Sequence, residues 1–489
     1  MPLLSELIAK CFPDAPVVGN AQMAIADITT DSRAVKVGSL FIAMPGVNVD
    51  GAKYIPDAVK AGAPAILMAA DAVAEIPANI AVVRVGDMRE SVSKLAAAFY
   101  AKQPEFCFAI TGTDGKTSTA DFVRQLAQLS GFDAASIGTL GLRSEHTKLN
   151  VAFPANNTSP EPILLHRTLN DLQCAGVQVV AIETSSHGLD QKRADGVVFV
   201  AGAFTNLTRD HLDYHGTLEA YFNAKARLFG EVLGAGKLAV LNHDDARFAS
   251  LKAMCTARRI SVLSFGYHEQ ADYRIISVTP HAQGLDAEIT LHGNKFALSL
   301  PLYGAFQLSN MLVAMGLLQA AGLAEKALID LLPQLRGVPG RLEKIADANG
   351  APIFIDYAHT PAALENILKT LRPHTAKKLH VVFGCGGDRD KGKRPEMGAI
   401  ASKFADSIIV TDDNPRSEDA SAIRAAVLAK APQAQEIPDR DAAIRAAIQK
   451  LNQGDVLVVA GKGHETTQII GNQILPFNDA EHIRKAVAA

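Results

Sequence analysis

Residues 106–119 read Phe106-Cys107-Phe108-Ala109-Ile110-Thr111-Gly112-Thr113-Asp114-Gly115-Lys116-Thr117-Ser118-Thr119. The run 106–110 is apolar and short, as a buried strand would be, and it stops at a loop in which Gly112 and Gly115 leave the backbone able to fold around an anion. Over 117–129 the apolar spacing lengthens toward a helical period, so the order is strand, glycine loop, helix. Backbone N–H groups at a helix start, together with the Lys116 ammonium, can hold polyphosphate, and the Thr117 hydroxyl can enter a Mg²⁺ shell. Only Thr111 separates the strand from Gly112 and two residues separate the glycines, so the loop is shorter than the full phosphate-loop pattern. The strand before it and the helix after it carry the reading.

Outward from that loop, a chain of 489 residues is longer than one core normally holds, and three domains are expected. A hydrophobic fraction of 48% and a mean hydropathy of +0.10 provide for large buried cores, and no long charge-free apolar run suggests a membrane span. The start, Met1-Pro2-Leu3-Leu4-Ser5-Glu6, does not read as a signal peptide. Five cysteines show neither metal spacing nor a disulfide framework, which makes reduced thiols in a cytosolic protein the expectation. With 48 basic and 51 acidic side chains, a net charge of −3 gives no footprint for duplex nucleic acid.

Residues 1–100 read as a small α/β unit, with strands expected at 39–44, 65–68 and 81–85 and a helix at 54–61. Asp31-Ser32-Arg33 reads there as a turn with surface residues. From 101 to 336, continuous apolar strands at 106–110, 177–182, 196–204 and 237–241 alternate with helical patterns, as a doubly wound parallel sheet requires. Weaker alternation over about 270–300 suggests antiparallel strands. Gly337-Val338-Pro339-Gly340 marks a boundary, and 337–489 reads as a second, Rossmann-like α/β domain with strands at 353–356, 379–384, 407–411 and 456–460. The fold class is therefore α/β. Several polar clusters follow strands directly, where open α/β sheets place ligands.

Glu183 ends the strand of Val-Val-Ala-Ile-Glu and either ligates Mg²⁺, which needs only one or two carboxylates, or caps a helix. The segment from Asn206 through Asp210, His211 and Asp213 to His215 is dense in ligand-capable groups; zinc is the rival there, but no cysteine joins the histidines. Lys225, in a helical pattern, reads by itself as a solvated lysine, and Arg341 as a linker charge or a phosphate contact. Asp356 and His359 lie just past an apolar strand. Arg389 and Arg416 could clamp a carboxylate while Asp413 and Glu465 take an ammonium, a set suited to an amino acid; the alternative is a salt-bridged surface loop. An ATP-dependent ligase and a phosphate-loop switch or motor both fit the loop. Discrete polar clusters spread over three domains favour the ligase.

With these residues in view the whole chain resembles the Mur ligase family. The resemblance implies a UDP-binding domain at 1–100, an ATPase domain at 101–336 and an amino-acid-binding domain at 337–489. It implies that Thr30, Ser32 and Val47-Asn48-Val49 meet the uridine nucleotide. Asn157, Thr158, Ser159, Ser185, Gln191 and Arg193 match positions that hold the sugar, pyrophosphate or peptide. Residues Gly112 to Ser118 match the ATP loop, while Asn310, Arg341, Asp356 and His359 match nucleotide-side positions. Thr117, Glu183, His211 and a carbamylated Lys225 match the Mg²⁺ site, with Lys116, Glu183, His211 and Lys225 serving catalysis.

Asp413-Asn414-Pro415-Arg416 resembles the family's signature for meso-diaminopimelate, with Arg389, Gly461 and Glu465 as further acceptor contacts. The implied reaction is ATP-dependent addition of meso-diaminopimelate to the D-Glu γ-carboxylate of UDP-N-acetylmuramoyl-L-Ala-D-Glu through an acyl phosphate, by a cytoplasmic monomer. Two positions depart from the family pattern. Asp114 stands where asparagine is usual, which adds negative charge beside polyphosphate and bears on ATP affinity. Gln307 replaces the common asparagine near Asn310.

Overall fold

A computed structural model describes residues 1–46, 50–145 and 158–488. They form two compact units, Met1–Ser264 with Val313–Leu328, and Phe265–Leu312 with Ile329–Ala489. Both are α/β, as the alternation of apolar strands and helical patterns predicts.

In the first unit, β1 (Val17–Val18), β2 (Asp27–Thr29), β3 (Ser39–Ala43), β4 (Ala65–Ala69) and β5 (Ala81–Val85) form a sheet in the order β1-β5-β4-β3-β2. β2 to β5 pair in parallel, and β1 runs antiparallel to β5. Asp31-Ser32-Arg33 is the expected turn: Asp31 caps a short 3-10 turn, and the Arg33 side chain is 89% exposed.

The larger sheet of this unit contains β6 (Phe106–Thr111), β7 (Ala134–Gly138), β8 (Gly141–Ser144), β9 (Val179–Glu183), β10 (Ala201–Phe204) and β11 (Leu238–Asn242), in the order β11-β10-β6-β9-β7-β8. All but β8 are parallel. β6 lies between two strands that follow it in the chain, so its carboxyl end opens at a point where the winding changes direction, which is where such sheets bind ligands. Cys107, Ala109, Val180, Ile182, Phe204 and Leu241 are buried in one core on this sheet. The strand expected over 196–204 is shorter in the structure. Residues ahead of Ala201 form turns instead, with Val197 N–H bonded to the Ala194 carbonyl and Val198 N–H to Gln103 Oε1. Buried Val197 and Phe199, on either side of the exposed Val198, give this irregular stretch the apolar signature of a strand.

β12 (Ser261–Gly266) begins in the first unit and ends in the second, where its end pairs with β13 (Tyr273–His281), and β13, β14 (Gly284–Leu291) and β15 (Asn294–Leu300) form the antiparallel meander expected over about 270–300. β16 (Glu343–Ala348), β17 (Ala351–Asp356), β18 (Leu379–Phe383), β19 (Ser407–Val410), β20 (Gln435–Glu436) and β21 (Val456–Ala460) follow. Their order is β16-β17-β21-β18-β19-β20, parallel except for β16. A separate hairpin joins β22 (Thr467–Ile470) to β23 (Gln473–Pro476). Among the described residues no helix is long and apolar enough to cross a membrane.

Beneath this sheet Arg440, at the start of the helix Arg440–Gln449, forms a bidentate pair with Asp479, both bonds 2.7 Å and both side chains fully buried. The same guanidinium donates to the Ala460 carbonyl at 3.0 Å. Removing one member strands the other charge in the interior. We expect Arg440→Met to cost about 3–5 kcal/mol and the double substitution R440M/D479L much less, as read by urea unfolding of the full chain.

Candidate active site

The loop after β6 takes the conformation its glycines permit. Gly112 has φ +140° and a Cβ there would lie 1.9 Å from Thr205 Oγ1, while Gly115 has φ +84°. Gly115 caps the helix Lys116–Leu129 without a side-chain hydrogen bond, and the N–H groups of a helix start are suited to an anion. Lys116 Nζ reaches back over the loop to the carbonyls of Gly112 and Thr113, at 2.9 and 2.7 Å. Asp114 is exposed; its N–H donates to Asn206 Oδ1 at 2.9 Å and its carbonyl accepts from Thr205 Oγ1 at 2.6 Å.

Glu183 ends β9 beside this loop, 2% exposed. It is not a helix cap; Ser185 caps the next helix. Thr117 Oγ1 donates to Glu183 Oε2 at 3.0 Å, and the Thr139 N–H donates to Oε1 at 2.9 Å. Gly138 makes room for the carboxylate, since a Cβ there would lie 2.0 Å from Oε1.

Lys225 is the largest departure from what its helix alone suggests. It is 1% exposed, not solvated, and donates to the Gly112 carbonyl at 2.6 Å with the Tyr221 ring 4.4 Å away. Burial first, and then the Lys116 charge, push its pKa down to about 6. It is therefore mostly a neutral amine at pH 7. Tyr221, pushed up to about 12 by burial, approaches Thr113 Oγ1 at 3.2 Å.

His211 belongs to a histidine cluster that borders Tyr221, the two rings 6.0 Å apart. Its backbone is left-handed at φ +50°, its ring lies 4.9 Å from that of His187, and His187 lies 4.2 Å from Tyr214 and 5.4 Å from His215. Burial, with its histidine neighbours, holds His187 below its usual pKa. Among the described residues no three His, Cys, Asp or Glu side chains are grouped so as to hold a metal by themselves.

Ser159, Ser185, Gln191 and Arg193 form a further network. Ser159 Oγ lies 3.1 Å from Ser185 Oγ, Arg193 donates to the Ser159 carbonyl at 2.8 Å and to Gln191 Oε1 at 2.6 Å, and Gln191 reaches Tyr214. Thr158 lies 3.3 Å from Thr139. Thr30 is exposed and Ser32 half-buried after β2. Val47, Asn48, Val49 and Asn157 lie outside the described residues.

In the second unit a cavity of about 560 Å³ is lined by His359, Arg389, Asp413, Asn414, Arg416, Gly461 and Glu465, with Tyr357 and Lys393. Every one of these follows a strand of the parallel sheet or starts the helix after it. Asp413 is 7% exposed, and Asn414 Nδ2 donates to Glu465 Oε2 at 3.0 Å. Lys462, fully buried, donates to both Asn414 Oδ1 and Glu465 Oε2 at 3.1 Å. Asp356 accepts the N–H groups of Leu342 and Ala358, each at 2.8 Å, yet burial keeps its carboxyl above the usual range. Arg341 lies over the Tyr357 ring at 5.6 Å. Asn310 is buried and donates to Gln307 Oε1 at 3.1 Å, so the longer glutamine orients the asparagine amide.

Sequence reasoning did not single out Thr139, His187, Tyr221 or Lys462. Lys462 sits in Gly461-Lys462-Gly463 directly after a strand, a signal that could have found it. The contacts of Thr139 and His187, and that of Tyr221 with Thr113, arise only between distant segments.

Residues 24–100 match the Mur ligase family catalytic domain, 110–318 the Mur ligase middle domain and 340–463 the Mur ligase glutamate ligase domain. The chain belongs to the Mur ligase family. A UDP-N-acetylmuramoyl-L-alanyl-D-glutamate--2,6-diaminopimelate ligase of Caulobacter vibrioides is 47% identical to this Mur ligase over 487 residues, 99% of this chain and 98% of its own. The Brucella melitensis protein of the same name is 47% identical over 96% of this chain and 95% of its own. A solved structure of a ligase so named shares 32% identity at a TM-score of 0.75, covering 100% of this chain and 99% of its own. A MurF ligase from Thermotoga maritima in complex with ADP, 19% identical with a TM-score of 0.60 over 94% and 96%, shares the fold.

The burial of Lys225 in this Mur ligase has a sign that can be tested. Its pKa is lowered, so the unfolded chain binds its proton more tightly, and its cost to stability grows as pH falls from about 10.5 to about 6 and then levels. A titration followed by NMR of ¹³C-methylated lysines, in CO₂-free buffer, should show one resonance with a midpoint near 6. Lys116→Met should raise that midpoint, because a repelling charge is gone.

Proposed function

We propose that this Mur ligase uses ATP to join an amine of meso-diaminopimelate to the D-Glu γ-carboxylate of UDP-N-acetylmuramoyl-L-Ala-D-Glu, a step of peptidoglycan precursor synthesis. The observation that carries it is the mixed lining of the 560 Å³ cavity, where Arg389 and Arg416 stand with Asp413 and Glu465. Guanidinium groups match carboxylates and carboxylates match an ammonium, which together complement an amino acid with a zwitterionic end. The names of the relatives point to the same acceptor.

A carboxylate oxygen of the D-Glu side chain attacks the ATP γ-phosphorus and ADP leaves. The amine then attacks the acyl carbon, and phosphate departs from the tetrahedral intermediate as the amine loses its proton. The amides of the Gly112–Lys116 loop and the Lys116 ammonium offset charge on the transferring group. The oxygen donors of Thr117 and Glu183, 3.0 Å apart, suit a hard cation that needs few protein ligands. They would hold Mg²⁺ with His211, and the metal when bound would screen the polyphosphate. Lys225 has the neutral amine that carbamylation requires: its lone pair bonds to the carbon of CO₂, a proton leaves to water, and an oxygen-ligand carbamate results.

We assign nucleotide-sugar binding to 1–100 through Thr30, Ser32 and 47–49, ATP binding to 101–336 and the acceptor to 337–489. Ser159, Ser185, Gln191 and Arg193, with Asn157 and Thr158, would face the sugar-peptide, and Asn310, Arg341, Asp356 and His359 the nucleotide. The protein would act in the cytoplasm as a monomer, a reducing setting that suits its free cysteines.

Phosphate release from ATP with the UDP-sugar dipeptide should require meso-diaminopimelate and be negligible with L-lysine. Arg416→Ala should lower kcat/KM for meso-diaminopimelate by about 30-fold or more, the worth of a broken charge pair of roughly 2–5 kcal/mol. Equal turnover of the two amino acids would remove the acceptor assignment.

A further inference from the structure

The hairpin β22–β23 is poorly anchored for an ordered element. All of β23 is exposed, with Ile474 at 67%, and only Gln468 is buried in β22. It turns over Gly471-Asn472, with Gly471 at φ +56°, as a tight two-residue hairpin requires. What β22 does bond to is the segment Asp413–Arg416.

Four hydrogen bonds run between that segment and the hairpin, three from β22 and one from its turn. Gln468 Nε2 donates to the Asp413 carbonyl at 2.8 Å, and the Ile469 N–H donates to Asn414 Oδ1 at 2.9 Å. The Arg416 N–H donates to the Ile469 carbonyl at 3.1 Å, and the Gly471 N–H to the Arg416 carbonyl at 2.7 Å. Two consequences follow. With Ile469 and Lys462 both donating to Asn414 Oδ1, the Asn414 amide can turn only one way, with Nδ2 toward Glu465. Arg416 is held at φ +52°, a left-handed conformation that a side-chain-bearing residue keeps only when its surroundings dictate it, and here both its backbone polar groups are taken by the hairpin.

The geometry points to the hairpin as the template of the acceptor-recognition loop, with Gln468 as a positioning residue that sets selectivity for an acceptor bearing a second carboxylate. The inference rests on the acceptor reading above. Gln468 lies behind the Asp413 backbone, outside the set of residues that line the cavity. It acts through the placement of Asp413, Asn414 and Arg416.

The test uses the full-length enzyme in steady-state phosphate release, varying meso-diaminopimelate, ATP and the UDP-sugar dipeptide in turn, with L-lysine as the competing acceptor. Gln468→Met keeps the side-chain length and deletes the donor; Gln468→Glu keeps the shape and cannot donate when ionised. In both, KM for meso-diaminopimelate should rise about tenfold, as expected for one buried hydrogen bond lost. The preference over L-lysine should fall, with kcat and the other two KM values unchanged. Ile474→Ser, on the exposed strand, should leave all of these unchanged. Full activity of Q468E would overturn the role of the donor. Equal rises in all three KM values would show a general structural effect and overturn the proposal. Unchanged KM for meso-diaminopimelate in Q468M, with a large rise in R416A, would overturn the positioning role and leave the acceptor site standing. If R416A were unchanged too, the acceptor reading itself would fall, and the inference with it.

Discussion

The ladder of β6 with its two parallel neighbours is the constraint on which the nucleotide-side cluster depends. Ile110 is level with Glu183 on β9, and Thr111 is level with Phe204 on β10. Hydrogen-bonded strands stand about 5 Å apart, so this register delivers the glycine loop, the Glu183 carboxylate and the Thr205 hydroxyl to one edge. A slip of one residue would turn Glu183 to the opposite face of the sheet. Gly112 and Gly138 serve the same register, since each leaves room for a neighbouring side chain where a Cβ would collide.

The loop then determines the chemistry of Lys225. A carbonyl that the glycine loop turns outward accepts the Lys225 hydrogen bond, the Tyr221 ring covers the amine, and the nearby Lys116 ammonium opposes its charge. Desolvation and a like charge act in the same direction. One residue of unremarkable helical context becomes a buried amine with a lowered pKa beside a phosphate-type loop.

The second unit repeats the arrangement with another ligand chemistry. β17, β18, β19 and β21 end side by side, and the loops beyond them bring Asp413, Arg416, Gly461 and Glu465 to one cavity. Two buried cations brace those loops from within. Lys462 ties Asn414 to Glu465, while Arg440 joins Asp479 to the Ala460 carbonyl that precedes Gly461. Charges this deep are costly unless paired, and here each is held by acceptors from more than one segment.

Continuous apolar runs, glycine positions and the polar clusters after strands were enough to read the α/β class, the strand–glycine loop–helix order and the grouping of Arg389, Asp413, Arg416 and Glu465, which line one cavity. These features are local, because strand burial and backbone freedom leave their mark on neighbouring residues. The run before Ala201 shows the limit: an irregular stretch that buries Val197 and Phe199 carries the pattern of a strand. Burial of Lys225, the hydrogen bonds of Thr117 and Thr139 to Glu183, the histidine rings around His187 and the hold of Gln468 on Asp413 were decided only by tertiary structure. Each joins segments tens of residues apart in the chain, and solvent exclusion and hydrogen-bond direction exist only once those segments meet.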